Sequence, residues 1–319
     1  MLALACPASL KGVVSAVEAA ALLAEGFERG GAEGLALPVA DGGEGTAEVI
    51  GGETHEAVVS DPLGRPVVAR WVVRADGTAV VDSAAALGLP LLAPDELDPL
   101  RASSAGLGEL LLAVLAGRPS LVIVGVGGTA TVDGGAGLRA VLPLWPKSVP
   151  LRVACDVRSP LRDAARVFAP QKGASAEEVA ELERRLEADR ELAPFAELPG
   201  AGAGGGLGAA LAALGGELTP GAELVLDLIG FDAEAARADL VVTGEGTVDE
   251  TTFAGKAPGA VLARCSRLGV RCVLFGGRVL AGDARPLSGD PSRARDDLVA
   301  LGLQLAAFGG SPGVDRGLA

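Results

Sequence analysis

Short apolar runs that end in glycine-rich turns and are followed by helical patterns recur along this chain, and that alternation restricts its fold more than any other feature. It is the pattern of an α/β protein, because parallel strands can be laid side by side only through a crossover, usually a helix. Leu2–Cys6 reads as the first strand, and the loop Pro7–Gly12 leads to a helix opened by Ser15, with Glu18 three residues on, and closed near Gly30 and Gly31. Gly34–Val39 is the next strand and ends on Asp41-Gly42-Gly43-Glu44-Gly45. The pattern then changes. Glu56–Ser60, Pro66–Val73 and Thr78–Asp82 are extended segments separated by the turn sequences Asp61-Pro62-Leu63-Gly64 and Ala75-Asp76-Gly77, which predicts an antiparallel meander. Parallel order returns with a helix over Ser104–Ala116, a strand over Leu121–Val126, the loop Gly127–Gly135, a strand over Leu151–Ala154 and a helix over Ala176–Ala188. Leu240–Thr243, a loop, a helix over Ala257–Leu268 and a strand over Cys272–Phe275 form a second mononucleotide-like stretch, and Arg278–Arg295 reads as exposed loop.

A length of 319 residues suits two domains. Because a meander lies between two mononucleotide-like stretches, the expected layout is discontinuous. Residues 1–52 with 221–319 should form a Rossmann-like or flavodoxin-like domain with a parallel sheet, and residues 53–220 an inserted mixed α/β domain.

Composition excludes several classes. Hydrophobic residues make up 49% of the chain and mean hydropathy is +0.40, but Leu107–Val126 is broken by Glu109 and Arg118, and Leu198–Gly216 is mostly Gly and Ala. No membrane span is predicted, and a cytoplasmic protein is expected. Leu2–Ala5 is too short, and its start too uncharged, for a signal peptide before Cys6. The four cysteines show no CxxC spacing, and the one histidine, His55, reads as a solvated strand-edge residue, so zinc, disulfide and Ser-His-Asp chemistry are all unsupported. A net charge of -14 argues against nucleic acid or an anionic membrane as partner and makes an anionic small molecule dependent on local cations. There are only four lysines, and Lys11, Lys172 and Lys256 each adjoin a glycine, as befits a phosphate or carboxylate site.

Five loops at predicted strand ends are rich in Gly and in acidic or hydroxyl residues: Asp41–Gly45, Gly127–Gly137, Asp156–Gly173, Gly200–Gly206 and Gly244–Gly255. Glycine there lets backbone N–H groups close on phosphate oxygens, although any one such loop is as readily a plain connection. Asp41, Glu44, Asp133, Asp156, Glu245 and Asp249 lie in these loops, and one or two carboxylates beside phosphate are what magnesium takes; each can equally be a turn-forming or capping acid. No GxxxxGK[ST] is present, since Ala257 follows Lys256 where the hydroxyl belongs. Gly125-Val126-Gly127-Gly128-Thr129-Ala130 fits GxGxx[GA], the mark of a dinucleotide turn, without the acid about 20 residues on.

Taken in order, the loops resemble those of the bacterial glycerate kinase family. The matching segments are Lys11-Gly12 with Ser15-Ala16, Pro38 to Thr46, Asp61 to Pro66, Gly127 to Ala130, Asp133 to Gly137, Ala154 to Val157 and Pro170 to Ala174. Pro199 to Gly202, Gly205 to Gly208, Thr243 to Gly246 with Asp249, and Gly255 to Pro258 complete the series. The resemblance implies ATP-dependent phosphorylation of D-glycerate, expected at the 2-hydroxyl, by two α/β domains with the active site in the cleft between them. It makes Lys11, Asp41 and Glu44 the catalytic candidates. Gly42, Gly43, Gly127, Gly128, Thr129, Asp133, Lys172 and Lys256 become candidates for substrate or phosphate binding, and Glu245 and Asp249 for magnesium. Two other readings stand beside it. One is a nicotinamide-dependent oxidoreductase, from Gly125–Ala130. The other is a catalytically weakened member that binds a small hydroxy acid, since Ala8, Thr247 and Thr251 stand where the family tends to carry Asp, Arg and Gln.

Overall fold

The predicted alternation is what the chain builds. The structure is a computed structural model that describes residues 1–155 and 157–308. Its first elements are β1 (Leu2–Pro7), α1 (Ala16–Arg29), β2 (Glu33–Ala36), α2 (Thr46–Ile50), β3 (Glu53–Ser60), β4 (Pro66–Val73), β5 (Thr78–Asp82) and α3 (Ala84–Leu87). Next come α4 (Ala105–Ala116), β6 (Leu121–Val126), α5 (Ala136–Val141), β7 (Leu151–Cys155), α6 (Ala164–Phe168), α7 (Ala176–Ala188) and α8 (Ala203–Ala213). The chain continues through β8 (Glu217–Pro220), α9 (Gly221–Leu228), α10 (Phe231–Ala235), β9 (Leu240–Val248), α11 (Ala257–Leu268), β10 (Cys272–Val279), β11 (Arg285–Pro286) and α12 (Ala294–Phe308).

Two compact units result. Among the described residues the first joins 1–40 to 226–308, and the second is Asp41–Val225. The seams read from sequence, at 52 and 221, differ from these because the segment after Ala40 is bonded to β5: the backbone N–H groups of Gly45 and Ala47 both donate to the Asp82 carboxylate.

In the first unit the sheet order is β11-β10-β9-β1-β2 with every pairing parallel. Strand order reverses between β1 and β9, so the loops leaving the carboxyl ends of these two neighbours open at a topological switch point. Ser15 caps α1, its Oγ accepting from the Glu18 N–H at 3.2 Å, while the Glu18 carboxylate is taken by Arg295 at 2.7 Å. The helix α12, part of whose first turn falls in a stretch read from sequence as loop, lies along α1. Their approach needs glycine on both sides: a Cβ on Gly26 would stand 2.3 Å from the Val299 carbonyl oxygen, and one on Gly302 2.4 Å from that of Leu23. Leu23, Phe27, Leu298 and Leu301 fill the space behind β1.

The second unit has the sheet order β3-β4-β5-β6-β7-β8. Strands β3, β4 and β5 form the predicted antiparallel meander, and β5 through β8 run parallel. Leu107, Leu110, Leu111, Leu138, Val124 and Leu207 form its core, all sealed from solvent. The architecture is therefore α/β in both units, one sheet parallel and the other mixed. Among the described residues no helix is long and apolar enough to cross a membrane.

Candidate functional site

The candidate residues fall into two clusters, one in each unit. In the first unit, Lys11 is exposed on a five-residue turn closed by the Leu10 N–H to Val14 carbonyl bond at 2.9 Å and its reciprocal at 3.0 Å. The turn follows β1 and lies against the end of β9, where a Cβ on Gly246 would stand 3.6 Å from the Lys11 backbone nitrogen. Strand β9 runs further than the sequence suggested, to Val248, because β10 pairs with it as far as Val279. Glu245 is thus a strand residue. Its Oε1 accepts from the Thr252 hydroxyl at 2.5 Å, and its Oε2 lies 3.5 Å from Lys256 Nζ. Asp249 opens a 3-10 turn over Glu250–Ala254, and its Oδ1 accepts from the Thr251 N–H at 2.9 Å and the Thr251 hydroxyl at 2.5 Å. The Thr251 hydroxyl holds the Asp249 carboxyl below the usual range, with a smaller push from Lys256, 4.0 Å away.

Glu245 and Asp249 therefore share one ammonium. Hard carboxylate oxygens around a cation are the donor set that magnesium uses together with phosphate oxygens, and Lys256 occupies that place between them. Among the described residues no group of three or more His, Cys, Asp and Glu side chains gathers as a complete cage.

The second cluster sits at the carboxyl ends of β5 and β6. The Asp41–Gly45 turn is held by Asp41 Oδ1, which accepts from the Gly43 N–H at 3.3 Å, and by the Thr46 hydroxyl, which donates to the Gly43 carbonyl at 2.8 Å. Glu44 is exposed and its carboxylate lies over Gly128, where a Cβ would stand 3.5 Å from Oε2. Gly42, Gly43, Glu44, Gly127 and Gly128 are thereby brought together.

Thr129 and Lys172 are placed differently from a displayed phosphate loop. Both are 2% exposed, and Lys172 Nζ donates to the Thr131 carbonyl at 2.7 Å and to Thr129 Oγ1 at 3.4 Å. Asp133 is committed to the scaffold. Its Oδ2 accepts from the Ser104 N–H at 2.9 Å, the Ser104 hydroxyl at 2.7 Å and the Gly137 N–H at 3.1 Å, and its Oδ1 from the Gly135 N–H at 3.0 Å. The Gly200–Gly206 run is no loose turn: Gly204, Gly205 and Gly206 are left-handed in succession, and a Cβ on Gly205 would stand 2.2 Å from the Thr131 carbonyl. Asp156 lies outside the described residues.

The dinucleotide fingerprint does not form its structure. Gly125 is inside β6, paired with Ala154 and Asp82, and the next helix waits until Ala136, so no helix N-terminus meets the Gly125–Ala130 turn. The residue that sequence reading passed over is Asp82. It ends β5 beneath the Asp41–Gly45 turn, and its burial pushes its carboxyl up to about 7 against the bonds from Ala47 and Gly45. The available signal was an acid closing an otherwise apolar strand, Thr78-Ala79-Val80-Val81-Asp82.

Comparison with known proteins gives one answer. The model of the glycerate kinase family matches residues 3–144 and 143–290. Glycerate 2-kinase of Escherichia coli (strain K12) is 39% identical over 300 residues, covering 79% of this chain and 78% of that protein. Glycerate kinase of Bacillus subtilis (strain 168) is 38% identical over 299 residues, with 79% and 78% covered. The crystal structure of a candidate glycerate kinase 2 from Salmonella typhimurium LT2 is similar with a TM-score of 0.81 and 32% identity, covering 97% of this chain and 98% of that one.

Proposed function

We propose that this chain, which belongs to the glycerate kinase family, transfers the terminal phosphoryl group of ATP to glycerate, at the 2-hydroxyl of the D-isomer. The observation that carries the reading is the family match from residue 3 to residue 290, reinforced by a relative named glycerate 2-kinase at 39% identity. The nicotinamide reading has no such support: the first two residues of its fingerprint lie inside β6, and the next helix begins only at Ala136.

Phosphoryl transfer asks the protein for position and charge neutralisation more than for covalent chemistry. Lys11 and Lys256 are the cations assigned to phosphate or carboxylate oxygens, Lys11 because it is exposed at a strand-end turn. An alcohol becomes a good nucleophile once its proton is taken, and with no histidine in either cluster a carboxylate must take it. Of the two candidates Glu44 is favoured, being exposed, whereas Asp41 already accepts from Gly43 in its own turn. Gly42, Gly43, Gly127 and Gly128 supply backbone close to that carboxylate. Glu245 and Asp249 would hold magnesium, which when bound neutralises phosphate charge. Thr129, Lys172 and Asp133 serve from behind, by fixing the loops.

The test is ADP release with MgATP and D-glycerate, checked for dependence on each, with phosphorus NMR of the product to distinguish the 2- from the 3-phosphate. Glycerate binding without ADP release would instead support the weakened member suggested by Ala8, Thr247 and Thr251.

A further inference from the structure

Beneath the turn that carries Asp41 and Glu44 sits a carboxylate to which phosphoryl transfer assigns no task. Asp82 Oδ2 accepts from the Gly45 N–H at 2.9 Å, and Oδ1 from the Ala47 N–H at 3.1 Å. Both bonds cross 35 or more positions of sequence, so they tie the turn and the start of α2 to the end of β5. Room for this comes from Gly125 of β6, the pairing partner of Asp82. A Cβ there would stand 2.7 Å from the Gly42 carbonyl oxygen and 3.3 Å from Asp82 Oδ1. The turn, the strand end and β6 thus meet at one point. The titratable groups acting on Asp82 are Glu44 from the turn and Glu48 from α2, both acidic, while β6 presents Gly125 and α3 begins just after Ser83. The hydroxyl of Ser83 is fully buried and has no hydrogen-bond partner among the described residues, so it does not hold the Asp82 carboxylate.

We propose that Asp82 is the positioning residue of the Asp41–Gly45 turn: its ionised carboxylate, by gripping two backbone N–H groups, sets Glu44 and the turn glycines in working geometry, and turnover follows its ionisation. A carboxylate presents both oxygens as acceptors, whereas the protonated acid turns one of them into a donor and weakens one grip. Burial, with the like charges of Glu44 and Glu48 adding to it, moves this change of state to about 7. The kinetic consequence rests on the phosphorylation reading; the grip itself does not.

The experiment pairs kinetics with hydrogen exchange. In the natural chain kcat/KM for glycerate should rise with pH through a limb centred near neutrality. Asp82→Asn, which keeps the shape but offers an NH2 to one of the two N–H groups, should remove that limb and lower kcat at least about tenfold, with a smaller change in KM. Glu48→Gln removes one of the acidic neighbours and should move the limb to lower pH while leaving the plateau rate unchanged. Independently of activity, exchange in the segment 41–50, corrected for the intrinsic effect of pH, should lose protection below neutrality in the natural chain and at every pH in Asp82→Asn. Absence of ADP formation by the natural chain would overturn the phosphorylation reading, and the exchange result would still judge the grip. An active natural chain whose limb survives in Asp82→Asn, or a segment 41–50 equally protected in both, would overturn the proposal. If Asp82→Asn does not fold, the Glu48→Gln limb decides, and a limb that stays in place counts against it.

Discussion

Lys256 Nζ lies 3.5 Å from Glu245 Oε2, so the residue that opens α11 is bound to the end of the strand it will pack beside. With Asp249 4.0 Å from the same ammonium, the carboxylates face a cation whether or not a metal is present. The assignment of Glu245 and Asp249 to magnesium therefore makes Lys256 and the metal neighbours in one cluster. Glu245→Gln should raise the magnesium concentration needed for half-maximal rate by about tenfold, the size of losing one charge-assisted contact. Initial rates titrated with magnesium at fixed ATP would read it, and an unchanged requirement removes Glu245 from the metal.

Lys11 offers the cleaner separation of function from stability. It is exposed at the tip of the Leu10–Val14 turn, whose bonds are all backbone, and Gly12 beside it has nothing within 4 Å of a would-be Cβ. Truncating the side chain leaves that turn intact. Lys11→Ala should cut kcat/KM for glycerate by about tenfold or more, with the melting temperature nearly unchanged. Kinetics like those of the natural chain would assign Lys11 to solvent.

Much of this was legible in the sequence, for reasons that differ by element. Periodicity located β6, α7 and α11 to the residue because each is bounded by strong punctuation, such as Ser175 before α7 and Gly269 after α11. The meander was readable from its turns, and Asp61 shows why such a turn is firm: its carboxylate accepts from the Leu63 and Arg65 N–H groups and from Arg65 Nε. The strand β8, four residues long, and the helix α12 were not read. Strand β8 carries no apolar run, and α12 follows a stretch of Gly, Pro and Asp, its own burial being decided by α1. In the candidate site, local composition marked the glycine-rich turns but could not separate displayed residues from buried ones. Thr129 and Lys172 have the chemistry of a phosphate loop and are spent on each other and on Thr131. Asp82 was invisible because its value lies in two amides 35 and 37 positions away.

Asp133 should prove a scaffold residue. Four hydrogen bonds converge on it, and the Ser104 hydroxyl that it accepts from in turn accepts the Leu138 N–H at 2.9 Å, so the starts of α4 and α5 are joined through one carboxylate. Asp133→Ala leaves those donors buried without an acceptor, at a cost of about 2–4 kcal/mol. For a unit of this size that is a fall in melting temperature of roughly 5–15 °C. Glycerate KM of the folded fraction should be unchanged; a large rise in KM with an unaltered melting temperature would return Asp133 to the ligand.

The last prediction concerns stability and runs opposite to activity. The Asp82 carboxyl is raised from 3.8 to about 7 in the folded chain, chiefly by burial. Between those two values the folded state holds a proton that the unfolded chain has released, so folding is favoured by the protonated group. That contribution is full below about pH 4, is lost as pH rises through about 7, and is flat above. At 1.36 kcal/mol per unit the whole span is at most about 4 kcal/mol. Asp82→Asn carries no proton to lose. Its stability relative to the natural chain should therefore improve from pH 5 to about pH 7 and level off above it, measured as the difference between denaturant midpoints at each pH. A difference that stays constant with pH would mean that Asp82 titrates as an ordinary carboxylate. If the difference grows as expected, the chain keeps at neutral pH a charge that weakens its fold, because the Asp41–Gly45 turn is held by the ionised form.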